Sequence, residues 1–258
     1  DLVSVVMPCH NGGEFVSDAI ESVLSQTYSR WELIICDDSS SDNSRDIVQD
    51  FVKRDSRVRL IANSRVRGAA GARNSCIDVA DGRYIAFLDA DDLWAPTKLA
   101  SQLRYMRENN VMFSHTWYSV IKSVNGTFKK VATRRWRAEY SYNDTLRNCR
   151  IGCLTVMYDT FALGKRYMPN MAKRQDLALW LEILRTTYVI GCVKEDLAIY
   201  RIVPGSVSSN KLRLLKYHWH IYRNYEAISF IRASWLMGSY IMVYLSRRLQ
   251  DSINRGSM

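Results

Sequence analysis

The chain has 258 residues, 47% hydrophobic and 24% charged, and its 36 Lys and Arg outnumber 26 Asp and Glu for a formal net charge of +10. Four prolines and twelve glycines exclude low complexity and a long disordered linker, and no repeat at solenoid periods is present. One large globular domain with an appendage is expected.

The charge is unevenly placed. Residues 211–258 hold eight Lys or Arg and only two acids, which suits an anionic partner such as a membrane surface. No nucleic-acid recognition motif accompanies it. Of the six cysteines, Cys9 and Cys36 follow apolar runs and Cys192 lies within one, the usage of core thiols in a reducing compartment. Cys149 and Cys153 lack the second pair that a zinc site needs. The sequence opens straight into a strand without a signal peptide. Its longest apolar run, Ala233 to Leu245, is shorter than the ~20 residues of a spanning helix. A cytoplasmic protein is expected, with peripheral contact to the inner face of the membrane.

Leu2 to Met7 is β-branched and reads as a strand that Pro8 stops. Cys9 to Gly13 is a loop, and Glu14 to Gln26 has helical spacing in Phe15, Ala19, Ile20, Val23 and Leu24. A second strand, Trp31 to Cys36, ends in Asp37-Asp38. Ser39 to Asn43 then offer caps to a helix over about 44–53. Val58 to Ile61 is a third strand, and Gly68 to Asn74 opens a third helix with small residues that permit close approach. Tyr84 to Leu88 is a fourth strand, and it ends abruptly in Asp89-Ala90-Asp91-Asp92. This β-α-β-α-β-α-β order predicts an α/β fold with a mostly parallel, twisted sheet covered on both faces. Two successive strands ending in acid pairs on one sheet edge suit a nucleotide: one acid for the base, one for the ribose, and a metal at the diphosphate.

Beyond residue 95 the pattern is less regular. Pro96 to Asn109 reads as a helix and Val111 to Val120 as a strand. Asn125-Gly126 marks a hairpin into Thr127 to Ala132. Residues 129–150 are rich in cations, among them Lys129, Lys130, Arg134, Arg135, Arg137 and Arg147. Asp176 precedes a periodic stretch and by itself reads as a helix N-cap. Tyr188 to Val193 and Leu197 to Val203 read as two strands, 204–209 as a loop, and Lys211 to Arg248 as helical.

At this point the residues resemble a known family. Val3 to Asn11, Ser22-x-x-x-Gln26-Thr27-Tyr28, Glu32 to Asp42, Gly68 to Asn74 and Phe87 to Asp92 look like the family 2 glycosyltransferases, continuously over about residues 2–110. The likeness returns at Gln175-Asp176 with Trp180, and at Tyr200-Arg201 with Pro204-Gly205-Ser206. The resemblance implies a GT-A fold, inversion at the anomeric carbon, and Mn²⁺ or Mg²⁺ as cofactor. It implies that Asp38 contacts the base of a UDP-sugar, that Pro8 and Asn11 line the base and ribose pocket, and that Arg73 sits near the nucleotide. Asp89 then lies at ribose and metal, Asp91 is a metal ligand, and Asp176 is the catalytic base. Arg201 and the loop at Ser206 close on the diphosphate. The family often has Glu before the base where this chain has Gln175, and His where Val203 stands.

The expected division is a catalytic domain at 1–210, with a nucleotide part at 1–110 and an acceptor part at 111–210, followed by a basic, aromatic helical extension at 211–258. The expected activity moves a hexose or N-acetylhexosamine from a nucleotide sugar to a saccharide or polyprenyl-diphosphate-linked acceptor of a surface polysaccharide. For the extension, docking on the catalytic domain and a homodimer contact are the alternatives to a membrane interface. The competing function is a non-catalytic nucleotide-sugar-binding scaffold of an assembly complex.

Overall fold

The structure, a computed structural model, describes residues 1–136, 139–203 and 211–255. Strands β1 (Val3–Cys9), β2 (Trp31–Asp37), β3 (Val58–Ala62) and β4 (Tyr84–Phe87) alternate with helices α1 (Val16–Leu24), α2 (Ser44–Arg54) and α3 (Ala69–Asp78). Nearly every side chain of β1, β2 and β4 is buried, as expected of parallel strands covered on both faces. Alternation sorts them. Val3, Val5 and Met7 join Trp31, Leu33 and Ile35 in a core under α1 and α2, whereas Val6, Ile34 and Cys36 face a second core shared with α3.

Pro8 does not end β1; the strand runs through it to Cys9. Val6 accepts from Leu88 on the β4 side, and pairing with β4 ends at Val6 and Phe87. Two residues on, the N–H that Pro8 lacks faces a side where β4 has already finished, so no ladder bond is lost.

The rest of the sheet is β5 (Leu93–Trp94), β6 (Phe113–Val124), β7 (Thr127–Arg134), β8 (Glu139–Ser141), β9 (Met157–Asp159) and β10 (Val189–Ile202). Around it lie α4 (Lys98–Glu108), α5 (Tyr142–Asn148), α6 (Thr160–Leu163) and α7 (Gln175–Thr187). The spatial order is β3-β2-β1-β4-β9-β6-β10-β5, with β7 on β6 and β8 on β10. Pairing is parallel from β3 to β4 and between β6 and β10; β9, β5, β7 and β8 pair antiparallel. The parallel expectation thus holds where the βα units are regular, and the later strands make the sheet mixed. The β6–β7 hairpin turns at Asn125 and Gly126 with φ of 52° and 77°, the left-handed pair that such a turn requires.

Two expected strands are one. β10 continues from Val189 to Ile202, with register shifts against β6 between Val193 and Ala198; a bulge absorbs the exposed charged residues that interrupt the apolar pattern. The expected single helical stretch after 211 is instead α8 (Lys211–His220) and α9 (Phe230–Arg255). Between them a wide turn returns the Glu226 N–H to the Ile221 carbonyl at 2.8 Å, and Ala227 takes φ 48°. The break lets Ile221 and Tyr222, then Ile228, Ala233 and Leu236, share a third core with Leu146 of α5 and Leu177 and Leu181 of α7. The C-terminal helices are therefore seated on the second half of the chain. All six cysteines are free thiols.

Candidate active site

The carboxyl ends of β1, β2 and β4 lie side by side, and their loops are tied together. Asn11, at φ 49°, donates its N–H to Ser40 and accepts from the Ser41 N–H on its own side-chain oxygen at 2.8 Å. A Cβ on Gly12 would stand 3.4 Å from the Cβ of Ala90, so the first loop touches the acid loop after β4.

Asp38 is buried, and both carboxylate oxygens are engaged at 2.7 Å: one accepts from the Asn63 amide, the other from the Gly68 N–H. Gly68 has φ 116°, a conformation that a side chain would strain, and a Cβ on Gly71 would fall 1.8 Å from the Val66 carbonyl. The loop from Asn63 to Gly68 can fold over Asp38 only because these two positions are glycine.

Arg73 is buried on α3 and donates a short, charge-assisted hydrogen bond to Asp89. Burial pulls the guanidinium pKa down, but the Asp89 carboxylate outweighs it and the pKa stands above its usual value. Asn74 clamps the backbone of Met168 with two bonds of 2.7 and 2.9 Å, bringing the Met168 sulfur to 3.9 Å from Arg73. Asp92 is fully buried and accepts the Arg201 N–H at 2.9 Å, which fastens β10 to the acid loop.

Asp91 differs from its neighbours. Burial and the nearby Asp89 carboxylate push its pKa up to about 6, against weaker pulls from Arg201 and Arg73. Its carboxylate accepts no side-chain donor among the described residues. A partly buried carboxylate with negative neighbours and no side-chain donor among the described residues fits a hard divalent cation. Among the described residues no three His, Cys, Asp or Glu side chains cluster to hold a metal. The protein alone therefore offers Asp91, with Asp89 beside it, and ligand oxygens would fill the remaining positions.

Arg201 ends β10 with its guanidinium 4.5 Å from the Phe15 ring centre and 5.1 Å from that of Phe128. Its Nη2 reaches Asp18 at 3.1 Å, while buried Nε and Nη1 have no partner among the described residues. Buried donors without partners are costly, so a guanidinium in this state suits an anionic ligand.

Asp176 is the second residue of α7, not its N-cap; Arg174 occupies the cap at φ 64°. The first turn of a helix favours a carboxylate. Asp176 is half-buried, and its charge acts on Arg73 and on the buried thiols of Cys149 and Cys153, which burial foremost holds above the usual range. Arg174 in turn donates to the Tyr240 hydroxyl of α9 at 3.2 Å. Of the remaining expected site residues, Pro8 lies near the carboxyl end of β1, and Ser206 lies outside the described residues, as does Arg137 of the basic stretch.

Sequence reasoning passed over Asn63 and Asn74, which act through backbone geometry and carry no charge to draw attention. It also passed over Lys98, whose ammonium is completely buried 3.8 Å from the Trp94 ring centre, with no hydrogen-bond partner among the described residues and a pKa depressed well below normal by burial. Its place among the helical-spaced core positions Leu99, Gln102, Leu103 and Met106 was the available signal.

Residues 4–168 match the family model described as Glycosyl transferase family 2. The chain belongs to this family. It is 41% identical over 248 residues to TuaG of Bacillus subtilis, named for teichuronic acid biosynthesis, covering 96% of this chain and 98% of that one. It is 39% identical over 259 residues to WfgD of Escherichia coli, named as a UDP-Glc:α-D-GlcNAc-diphosphoundecaprenol β-1,3-glucosyltransferase, covering 98% and 97%. Among solved structures, the Staphylococcus aureus TarS fragment 1–349 in complex with UDP-GlcNAc superposes with a TM-score of 0.71 at 16% identity, over 93% of this chain and 72% of that one. The mannosyltransferase PcManGT of Pyrobaculum calidifontis, in complex with GDP-Man and Mn²⁺, gives 0.62 at 15%, over 99% and 79%. These likenesses establish the GT-A fold. The glycosyltransferase of this family described here contains, among its described residues, no helix long and apolar enough to cross a membrane.

Proposed function

We propose that the chain transfers a hexose or N-acetylhexosamine from a UDP-sugar to a saccharide on a polyprenyl diphosphate, in the synthesis of a surface polysaccharide, with inversion in one displacement. The observation that carries this reading is the meeting at the strand ends of Asp38, the Arg73–Asp89 pair and Arg201, which Asp92 fastens to the acid loop. The similarity to WfgD supports the lipid-linked acceptor.

On this reading residues 1–110 hold the nucleotide, residues 111–210 the acceptor, and 211–258 meet the membrane that carries it. Asp38, Pro8 and Asn11 line the base and ribose pocket, and Arg73 holds Asp89 beside the ribose. Asp91 with Asp89 would hold Mn²⁺ or Mg²⁺, which when bound neutralises diphosphate charge. Arg201 supplies its two idle N–H groups to the leaving diphosphate, whose charge grows in the transition state. Asp176 takes the proton from the acceptor hydroxyl as that oxygen attacks the anomeric carbon and the bond to the diphosphate breaks. One base and one displacement give inversion.

A panel of nucleotide sugars, with products analysed by mass and anomeric configuration, tests the reading. A single preferred UDP-sugar with inverted product is expected; retained configuration would overturn the mechanism.

A further inference from the structure

A cleft of about 370 Å³ opens between Arg135, Trp136 and Tyr140 on one side and α5 and α9 on the other. Its walls carry Arg135, Arg147 and Arg150 against one acid, Asp144. That acid is already committed: it closes the capping box of α5, accepting from the Ser141 N–H at 3.2 Å and the Ser141 hydroxyl at 2.7 Å. Each arginine lies over an indole. Arg135 is 5.6 Å from the Trp117 ring centre, Arg147 5.3 Å from Trp235, and Arg150 4.9 Å from Trp136. Among the described residues Arg135 and Arg147 have no carboxylate partner. Stacking holds a guanidinium by its face and leaves its N–H edge for oxygen ligands.

An adjoining face of α9 is apolar and exposed. Ile231, Trp235 and Met242 follow one helical stripe, through Gly238, and are 84%, 58% and 69% exposed. Trp235 belongs to both features, as the ring beneath Arg147 and as the middle of the stripe. The α9 wall of the cleft is tied to the start of α7: Ser239 precedes Tyr240, whose hydroxyl accepts from Arg174.

We propose that this cleft is the acceptor's anchor: Arg135 and Arg147 take the diphosphate of the lipid-linked acceptor, and its polyprenyl chain leaves along Ile231, Trp235 and Met242. The inference rests on the lipid-linked acceptor proposed above. A diphosphate bonded to hydrocarbon is the chemistry that needs a basic cleft and an apolar stripe meeting at one residue. A free sugar phosphate would leave the stripe unused, and a flat anionic bilayer has no need of an enclosed cleft.

The test uses the full chain with the double variants Arg135→Gln/Arg147→Gln and Trp235→Ala/Met242→Ala. Two readouts are taken: binding of geranylgeranyl diphosphate by intrinsic fluorescence, and kinetics with a lipid-diphosphate-linked saccharide and with the same saccharide lacking diphosphate and lipid. The arginine variant is expected to weaken prenyl diphosphate binding at least tenfold. It should raise the acceptor KM at least tenfold for the lipid-diphosphate acceptor only, with donor KM unchanged. The Trp235/Met242 variant should abolish the advantage of a long prenyl chain over inorganic pyrophosphate. Binding and acceptor KM unchanged in both variants would overturn the anchor and leave the proposed activity standing. Prenyl diphosphate binding that depends on the arginines in a protein without transfer to lipid-diphosphate acceptors would do the reverse. Equal competition by anionic phospholipid vesicles, or an equal loss with both acceptors, would also overturn the anchor.

Discussion

Arg73 donates directly to the carboxylate of Asp89, and both sit where α3 meets the end of β4. The pair is buried on the arginine side, so removing either partner leaves a charge without compensation. Asp89 is thereby fixed in place, and the acid two residues on, Asp91, is left to seek a cation. The division of labour within Asp89-Ala90-Asp91-Asp92 follows: one acid for an arginine, one unpartnered, one for the Arg201 backbone.

That division predicts how the cation behaves. Adding Mn²⁺ together with UDP should raise the thermal midpoint more than either alone, and EDTA should remove the gain. Asp91→Asn should abolish the synergy and lower kcat/KM by about 10²-fold or more. Calorimetry with and without metal checks this, and an undiminished synergy in Asp91→Asn would assign the cation elsewhere.

Asp176→Asn keeps shape and removes the proton acceptor. Turnover should fall by about 10²–10⁴-fold, with UDP affinity within about twofold of the parent, as measured by titration calorimetry. A matching loss of UDP binding would mean that Asp176 serves the donor instead.

Arg201 should resist conservative replacement. Lysine cannot stack between Phe15 and Phe128 and still present two planar donors, so Arg201→Lys should lose kcat by about 10–10³-fold, close to Arg201→Ala. Recovery to near parental rate in the lysine variant would reduce Arg201 to a point charge.

Legibility in the sequence followed the physics of each element. β1 to β4 announced themselves because burial on both faces forces continuous apolar runs, and the acids at their ends broke those runs sharply. β5 has two residues and β8 three, too short to show a period. β10 carries its charged bulge at Lys194 to Asp196, so one strand looked like two. Asp176 read as a cap because Arg174, an unusual residue for a left-handed cap, holds that position. The cations Arg135 and Arg147 stood out in the sequence, but their meeting with α9 did not, since the cleft walls come from segments about a hundred residues apart.

His218 gives the protein an acid limit. It is buried against Tyr240 and Tyr222, with both ring nitrogens unpartnered among the described residues, and burial, aided by Arg174, lowers its pKa to about 3. The neutral form is favoured in the folded state. Its contribution is full above the unfolded value near 6.5 and is lost as pH falls toward 3. Denaturant titrations between pH 7 and 4 should show His218→Phe losing on the order of 2 kcal/mol less than the parent. Parallel curves would exclude this histidine as the source of acid sensitivity.

β10 is one unbroken strand pairing with β8 at Val189 to Gly191 and carrying Arg201 near its far end. Side chains alternate along it, so its bulge fixes which face each later residue presents. Deleting a single residue from Lys194 to Asp196 would leave the Tyr140 end in register but turn Arg201 away from Phe15 and Phe128. Homologues that vary in length here should therefore change by residue pairs, or should recover the phase with a second indel before Arg201.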